Sequence, residues 1–129
     1  QESIDAVLAM KTWAVVGLGN NPERAAFGVA KLLQDKGHRI IPVYPRAETV
    51  HGEVGYKTLS EIPGSIDVVD CFVNSTLVGK VVDEAIAIGA KAVWLQLDVI
   101  DNDAIARAQA AGLITVMDRC PAIEYRKKS

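Results

Sequence analysis

The feature that most constrains this fold is an alternation between two kinds of apolar segment. Short, continuous apolar runs, typical of buried strands, alternate with longer stretches whose apolar residues recur at helical spacing. Strands joined in this way through short connections predict right-handed βαβ crossovers and a parallel sheet. Because the runs are apolar throughout, helices should cover both faces of the sheet. We therefore predict an α/β fold, a three-layer Rossmann-like domain whose five parallel strands span 12–17, 39–44, 66–73, 91–97 and 113–117.

The segments between the strands predict helices with recognisable ends. Ser3 is a plausible N-cap of a first helix over 3–10, and Asn21, Pro22 and Glu23 resemble the opening turn of a second that runs to about Lys36. Further helices are expected at 74–88 and 101–111, with one helical turn at 58–62 and a tail at 118–129. Pro42 predicts a bulge or an edge position in the second strand. The faces expected to be buried carry Phe27, Ala30 and Leu33 on the second helix, and Leu77, Val81, Ala85 and Ile88 on the helix at 74–88.

Length and composition narrow the function classes. The 129 residues suit one domain spanning 1–129, and a net charge of −2 argues against general nucleic-acid binding. No apolar run approaches the ~20 residues of a membrane span, and the first ten residues do not resemble a signal peptide. Two cysteines are too few for a disulfide framework, which favours a cytoplasmic location. Since residue 1 is Gln, the natural chain is expected to begin upstream.

The first loop is the leading candidate for a binding site, because ligands of such sheets bind outside the carboxyl ends of the strands. The sequence Gly17-Leu18-Gly19-Asn20-Asn21 follows the first strand and precedes a helix. Two glycines permit a tight turn and close backbone approach to a ligand, and free N–H groups at a helix N-terminus favour a phosphate. The third glycine of the dinucleotide-binding pattern is absent, since Pro22 stands there.

The end of the second strand indicates which nucleotide would bind. NAD-dependent enzymes usually place an acidic residue there to hold the ribose hydroxyls, whereas this chain has Tyr44-Pro45-Arg46. A cation at this point suits an additional ribose phosphate, as in NADP or coenzyme A, and arginine suits bidentate phosphate contacts. The alternative is that Arg46 is a solvated loop residue.

Other polar residues follow the remaining strands. Asn74 and Ser75 come after the third strand, where they either cap the next helix or also contact the ligand. Gln96 lies near the carboxyl end of the fourth strand and is either a polar end of the core or a ligand contact. Arg119 follows the fifth strand and is expected to hold a phosphate or to bind a carbonyl.

Four stretches carry a resemblance to a known family. They are V-V-G-L-G-N-N-P-E-R at 15–24, V-Y-P-R at 43–46, E-A-I-A-I-G-A-K-A-V-W-L-Q-L at 84–97 and V-M-D-R-C-P-A-I-E at 116–124. Together they resemble the small stand-alone CoA-binding proteins, which are related to the N-terminal domain of the succinyl-CoA synthetase α subunit. The similarity extends over nearly the whole chain, from about Lys11 onward.

The resemblance implies a Rossmann-like domain that binds coenzyme A or an acyl-CoA. It places the phosphate loop at Gly17 to Asn21, with Arg24 nearby. The family usually has Asn-Pro-Lys or Ser-Pro-Lys after the second strand, so Arg46 keeps the cation while Tyr44 adds an aromatic ring that stacks on adenine or crowds the pocket. The synthetase's phosphohistidine and ligase machinery lie outside this domain, so the resemblance implies binding rather than catalysis.

Catalytic and metal chemistry find little support in the sequence. Cys120 follows the fifth strand beside Arg119 and is a weak candidate nucleophile, which would need a base. His38 precedes the second strand, at the wrong end of the sheet, whereas His51 lies in a loop that could reach the site. No metal site is expected: the histidines and cysteines lack ligand spacing, and Asp98, Asp101 and Asp103 suit a helix N-terminus.

The sequence leaves open the partner of Asp70 and the choice between a binding function and an enzymatic one. Asp70 lies inside an apolar strand, and a buried carboxylate needs a partner that the sequence does not name. The function is predicted to be a CoA-binding module without catalysis of its own, acting as a sensor, a carrier or the partner of another protein. The alternatives are a small NADP-dependent enzyme and a thiol-active enzyme that uses Cys120.

Overall fold

The computed structural model describes residues 2–128 and contains one five-stranded sheet. The strands lie in the order β2-β1-β3-β4-β5, and every neighbouring pair is parallel. The predicted α/β Rossmann-like fold is confirmed, although each strand is shorter than its apolar run. The strands are β1 (Thr12–Val16), β2 (Arg39–Val43), β3 (Val68–Cys71), β4 (Ala92–Leu95) and β5 (Ile114–Val116).

Helices cover the sheet on both faces. The helices are α1 (Glu2–Leu8), α2 (Ala25–Asp35), α3 (Ser75–Ala87), α4 (Asn102–Ala110) and α5 (Pro121–Lys128), with a 3₁₀ turn at Leu59–Glu61 where one helical turn was predicted. One core cluster joins the sheet to α1, α2 and α5, and the other joins it to α3, α4 and the 3₁₀ turn. None of the helices within residues 2–128 has the length and apolar character needed to cross a membrane.

Successive strand residues face opposite layers, which is why both faces of the sheet are apolar. Trp13 and Val15 of β1 pack in the α1/α2/α5 layer, whereas Ala14 packs in the α3/α4 layer. Pro42 lies in β2, which is an edge strand of the sheet. Of the two predicted alternatives, a bulge or an edge position, the edge position is confirmed. The Pro42 carbonyl accepts a hydrogen bond from the Tyr56 N–H in the loop beyond that edge, at 3.0 Å.

The second helix begins later than predicted. Asn21, Pro22 and Glu23 form a separate turn in which the Asn21 side chain accepts a hydrogen bond from the Glu23 N–H at 3.0 Å. Arg24 is extended, with φ −82° and ψ 140°, and α2 starts at Ala25 without a side-chain cap. The prediction of Asn21 as N-cap was wrong because Asn also closes tight turns with its own backbone.

Three further helix predictions needed correction at their ends or their faces. Helix α1 already includes Glu2 and ends at Leu8, so Ser3 lies inside it rather than at its N-cap. The tail predicted at 118–129 contains α5, which packs against α2. Phe27 of α2 is only half-buried, because Ala26 and Val29 take the inner positions.

The buried face of α3 matches the prediction at Ala85, whereas the predicted Val81 and Ile88 are only half-buried. Val78, Val82 and Ala85 are buried, while Leu77 is 58% exposed. The apolar residues of this helix occur on more than one face, so periodicity alone could not choose between them. The cap predicted at Asn74 is confirmed, since its side chain accepts from the Thr76 N–H. At α4 the Asp101 side chain accepts from the Ala104 N–H.

Candidate ligand cleft at the carboxyl edge of the sheet

The candidate site lies where the strand order reverses. The chain passes from β1 outward to β2 and then returns to β3 on the other side of β1, so the loops after β1 and β3 diverge. Such a switch point is the usual ligand position in open parallel sheets. Three adjoining cavities of about 470, 360 and 440 Å³ open here, and all three are lined by Gly17 and Arg24.

The cavity of about 360 Å³ is lined mainly by polar and charged residues. Two of its lining residues are arginines, Arg24 and Arg46, and neither takes part in an ion pair within residues 2–128. Both are exposed and follow different strands, so their charges meet only through the fold. We name this space the anion cavity; its lining residues are Gly17, Gly19, Asn20, Asn21, Arg24, Tyr44, Arg46 and Glu48.

Two glycines determine how closely the first loop can approach its neighbours. Gly17 has φ +98°, which favours glycine, and a Cβ atom there would lie 2.4 Å from the Phe72 carbonyl oxygen. At Gly19 a Cβ atom would lie 2.9 Å from Oε1 of Glu48. The predicted need for glycine therefore has a steric basis in backbone at Gly17, whereas at Gly19 the nearest atom is the end of a side chain that can move.

Glu48 was not among the predicted site residues. The Asn20 N–H donates to its Oε1 at 3.4 Å, and the Asn20 side chain donates to the Thr49 carbonyl at 2.9 Å. The loop after β2 thus returns to the loop after β1. Only the acidic character of Glu48 within a polar loop was visible in the sequence, and nothing local indicated that it would meet a residue 28 positions earlier.

The cavity on the α3 side, about 470 Å³, is largely apolar in its residues. Tyr44, Leu59, Leu77 and Val81 line it, and the charged residues Lys57, Lys80 and Glu84 lie at the same cavity. Tyr44 borders both this cavity and the anion cavity. An aromatic side chain in that position can contact a flat apolar group whose neighbouring phosphates lie in the anion cavity.

The cavity on the α2 side, about 440 Å³, is lined by residues that include Gln96 and Cys120. Gln96 supplies the partner of Asp70, donating from Nε2 to the buried carboxyl Oδ1 at 2.5 Å. The other carboxyl oxygen, Oδ2, has no hydrogen-bond partner among the described residues. Burial therefore raises the pKa of Asp70 to about 8, against the smaller lowering effect of Gln96.

Two predicted site residues, Leu18 and Ser75, have side chains that are engaged within the protein. Leu18 is fully buried in the α1/α2/α5 layer, so only its backbone can meet a ligand. The Ser75 hydroxyl donates to the Asp98 carbonyl at 3.3 Å and accepts from the Ile100 N–H at 2.9 Å. It thereby joins the start of α3 to the loop after β4.

Arg119 lies apart from the three cavities. Its side chain donates to the Asp118 carbonyl at 2.9 Å and lines a separate depression with residues of α1 and β5. Pro45 and Asn74 line the α3-side cavity, and Asn74 also lines the α2-side one. The predicted loop residues of β1, β2 and β3 are thus brought together, while Arg119 is not among them.

Neither histidine is placed to act as a base for Cys120. His38 is buried at the opposite edge of the sheet, where its Nδ1 contacts the Met10 carbonyl at 2.7 Å and burial lowers its pKa. His51 was expected to reach the site, but its Nε2 contacts the Phe27 carbonyl at 2.8 Å and its ring packs on that phenylalanine. The loop after β2 is thereby held against α2.

These features define a Rossmann-like α/β domain. The cleft at its switch point is lined by arginine side chains and by the backbone of the glycine loop. The chain belongs to the family of CoA-binding domains, whose model matches residues 11–126. An uncharacterised Bacillus subtilis protein, YneT, is 34% identical over 110 residues, which are 85% of this chain and 82% of that protein.

Two other relatives extend the comparison. A hypothetical protein from Pyrococcus horikoshii OT3 has a solved structure with a TM-score of 0.92 and 39% identity, covering 98% of this chain and 89% of that one. The α subunit of acetate–CoA ligase (ADP-forming) II from Pyrococcus furiosus is 35% identical over 81 residues. That match takes in 62% of this chain but only 18% of the subunit, so most of the ligase subunit has no counterpart in the match.

Proposed function

We propose that this chain binds coenzyme A or an acyl-CoA, with the ligand phosphates in the anion cavity, and that it does so without catalysis of its own. One observation carries the proposal: Arg24 and Arg46, free of ion pairs within residues 2–128, line one cavity together with the glycine loop. Unpaired cations beside backbone N–H groups suit a polyanionic ligand. Membership of the CoA-binding family supports coenzyme A as that ligand.

The residues present fit the parts of this ligand. Arg24, Arg46 and the backbone of Gly19 to Asn21 would hold phosphates, and Tyr44 would contact the adenine or the pantetheine arm beside them. The flanking cavities offer apolar walls of the kind that bury ligand surface. When bound, coenzyme A would supply a thiol for carrying acyl groups, and the chain's own residues would orient and shield it.

Neither histidine lies beside Cys120, which supports binding without catalysis. A thiol nucleophile is normally activated by a neighbouring base or cation, and both histidines are engaged with backbone carbonyls elsewhere. A thiol-active protein is nevertheless a second candidate, because Cys120 lines the α2-side cavity next to the glycine loop. The two functions differ in whether Cys120 is needed for turnover of a CoA thioester.

Calorimetry and thermal shifts with CoA, acetyl-CoA, dephospho-CoA, NAD, NADP and ATP test the proposal. A ligand at 100 times its Kd should add about 2.7 kcal/mol to the free energy of unfolding, a shift of several degrees in Tm. We expect CoA or acetyl-CoA to bind and the nicotinamide cofactors not to. Binding of NADP alone would instead mean that Arg46 reads a 2′-phosphate, as in the NADP-dependent alternative.

A further inference from the structure

The glycine loop already has an anion beside it in the free protein. Oε1 of Glu48 lies 3.4 Å from the Asn20 backbone nitrogen and 2.9 Å from the point a Cβ atom on Gly19 would occupy. The space that the missing side chain of Gly19 leaves open is therefore filled by a carboxylate oxygen. Any ligand phosphate approaching these amides meets a negative charge at the same place.

The backbone that carries Glu48 is held firmly in position. Val50 is fully buried in the core, and the Thr49 carbonyl accepts from the Asn20 side chain at 2.9 Å. The His51 ring and carbonyl both contact α2, the carbonyl through a 3.0 Å hydrogen bond from Gln34. The carboxylate can thus leave the glycine loop by side-chain rotation, while the loop itself remains in place.

The arginines of the anion cavity form no ion pair with this carboxylate within residues 3–128. The ion pairs formed within residues 3–128 do not include Glu48, although Arg24 and Arg46 line the same cavity. Glu48 is held by a backbone amide that a phosphate would also use, and the two guanidinium groups stay available. An incoming phosphate gains both arginines, but it must first displace the carboxylate from the amide.

We propose that Glu48 is a built-in competitor for the ligand phosphate, so that it lowers the affinity of the site for phosphate ligands. This inference rests on the proposed function, since it concerns the same cavity. In the free protein the carboxylate satisfies the Asn20 N–H, and in the complex a phosphate oxygen replaces it there. The attraction of Arg24 and Arg46 for the incoming phosphate offsets the cost of this displacement.

A different role for Glu48 would have the opposite signature. Acidic residues after the second strand of dinucleotide-binding domains accept hydrogen bonds from ribose hydroxyls. If Glu48 did so, its removal would weaken ligands that contain ribose and leave others unchanged. Competition for phosphate instead predicts tighter binding of every phosphate ligand, with or without ribose.

The experiment compares Glu48→Gln and Glu48→Ala with wild type, using CoA, 4′-phosphopantetheine (which has no ribose) and inorganic pyrophosphate. Glu53→Gln is the matched control, since Glu53 lies in the same loop but does not line the anion cavity. We expect Glu48→Gln to tighten all three ligands about two- to fivefold, the range for one partly exposed charge. Glu48→Ala, which also removes the acceptor, should do at least as much, and the control should change little.

Weaker CoA binding with unchanged phosphopantetheine would overturn the proposal in favour of a ribose contact, and unchanged binding of all three ligands would overturn it outright. The pyrophosphate titration separates this inference from the proposed function. If CoA fails to bind wild type, the proposed function fails. The role of Glu48 then stands if Glu48→Gln tightens pyrophosphate and falls if it does not. Thermal melting of both variants shows that each is folded.

Discussion

The backbone of Gly17 packs directly against the carbonyl oxygen of Phe72, the residue that follows β3. A Cβ atom on residue 17 would lie 2.4 Å from that oxygen, and φ at Gly17 is +98°. The Phe72 N–H also donates to the Val16 carbonyl at 2.9 Å. This close approach lies at the switch point itself, so the same glycine that lines all three cavities also packs against the end of β3.

Gly17→Ala should destabilise the fold strongly. The methyl group would clash with backbone, and the positive φ would be strained, so we expect a loss of at least about 2 kcal/mol in the free energy of unfolding. Urea denaturation measures it. Gly28→Ala is the matched control: Gly28 lies within α2 with open space around it, so alanine should add about 0.5–1 kcal/mol. Equal losses for the two variants would contradict this steric account.

Arg46→Ala should weaken CoA more than dephospho-CoA. Hydrogen bonds to charged groups contribute about 1.5–3 kcal/mol, so loss of a phosphate contact should raise the Kd for CoA roughly tenfold or more. Calorimetry with both ligands measures the difference. Arg39→Ala serves as the control, because Arg39 is exposed at the other end of β2. An equal loss for both ligands would show that Arg46 does not read the 3′-phosphate.

Asp70 should make stability decline as pH rises. In the unfolded chain its carboxyl releases a proton near pH 3.9, whereas in the folded protein the raised pKa of about 8 keeps it protonated. Between these values the folded state binds the extra proton, so the free energy of unfolding falls by on the order of 1 kcal/mol per pH unit. Asp70→Asn removes this proton linkage and should gain stability relative to wild type from pH 4 to pH 8.

Urea denaturation across that pH range measures the effect. Asp35→Asn is the control, because Asp35 forms only an exposed ion pair with Lys31 at 3.2 Å and should shift stability little at any pH. A difference between Asp70→Asn and wild type that stays constant from pH 4 to pH 8 would mean that Asp70 ionises normally in the folded protein.

Cys120 should be the thiol that a ligand protects. It is half-buried and lines the α2-side cavity, whereas Cys71 is fully buried, and burial raises its pKa well above the usual value. A thiol reagent should therefore label the folded protein once, at Cys120, and CoA should slow that labelling. Mass spectrometry with and without CoA provides the measurement, and Cys120→Ala the control. Slow labelling of Cys120 that CoA leaves unchanged would exclude both the predicted contact and the thiol-active alternative.

Local sequence patterns predicted most residues of the candidate site, but they did not predict Glu48. The glycine loop, Tyr44, Arg46 and Asn74 each begin within three residues of the end of a strand, and parallel strands bring such positions to one edge. Glu48 lies five residues beyond β2, where loop geometry depends on what the loop packs against. Similarly, the tail at 118–129 carries a helix that packs on α2, which its own composition did not indicate.

The sequence by itself determined the number and order of strands along the chain, the cap at Asn74 and the glycine requirement in the first loop. These features depend on residues close in the chain, where periodicity and backbone freedom act directly. Only the tertiary structure decided that Val50 enters the core and brings Glu48 to Asn20, or that Gln96 becomes the partner of Asp70. Such contacts join residues 26 or 28 positions apart, so they form only once strand order and layer packing are complete.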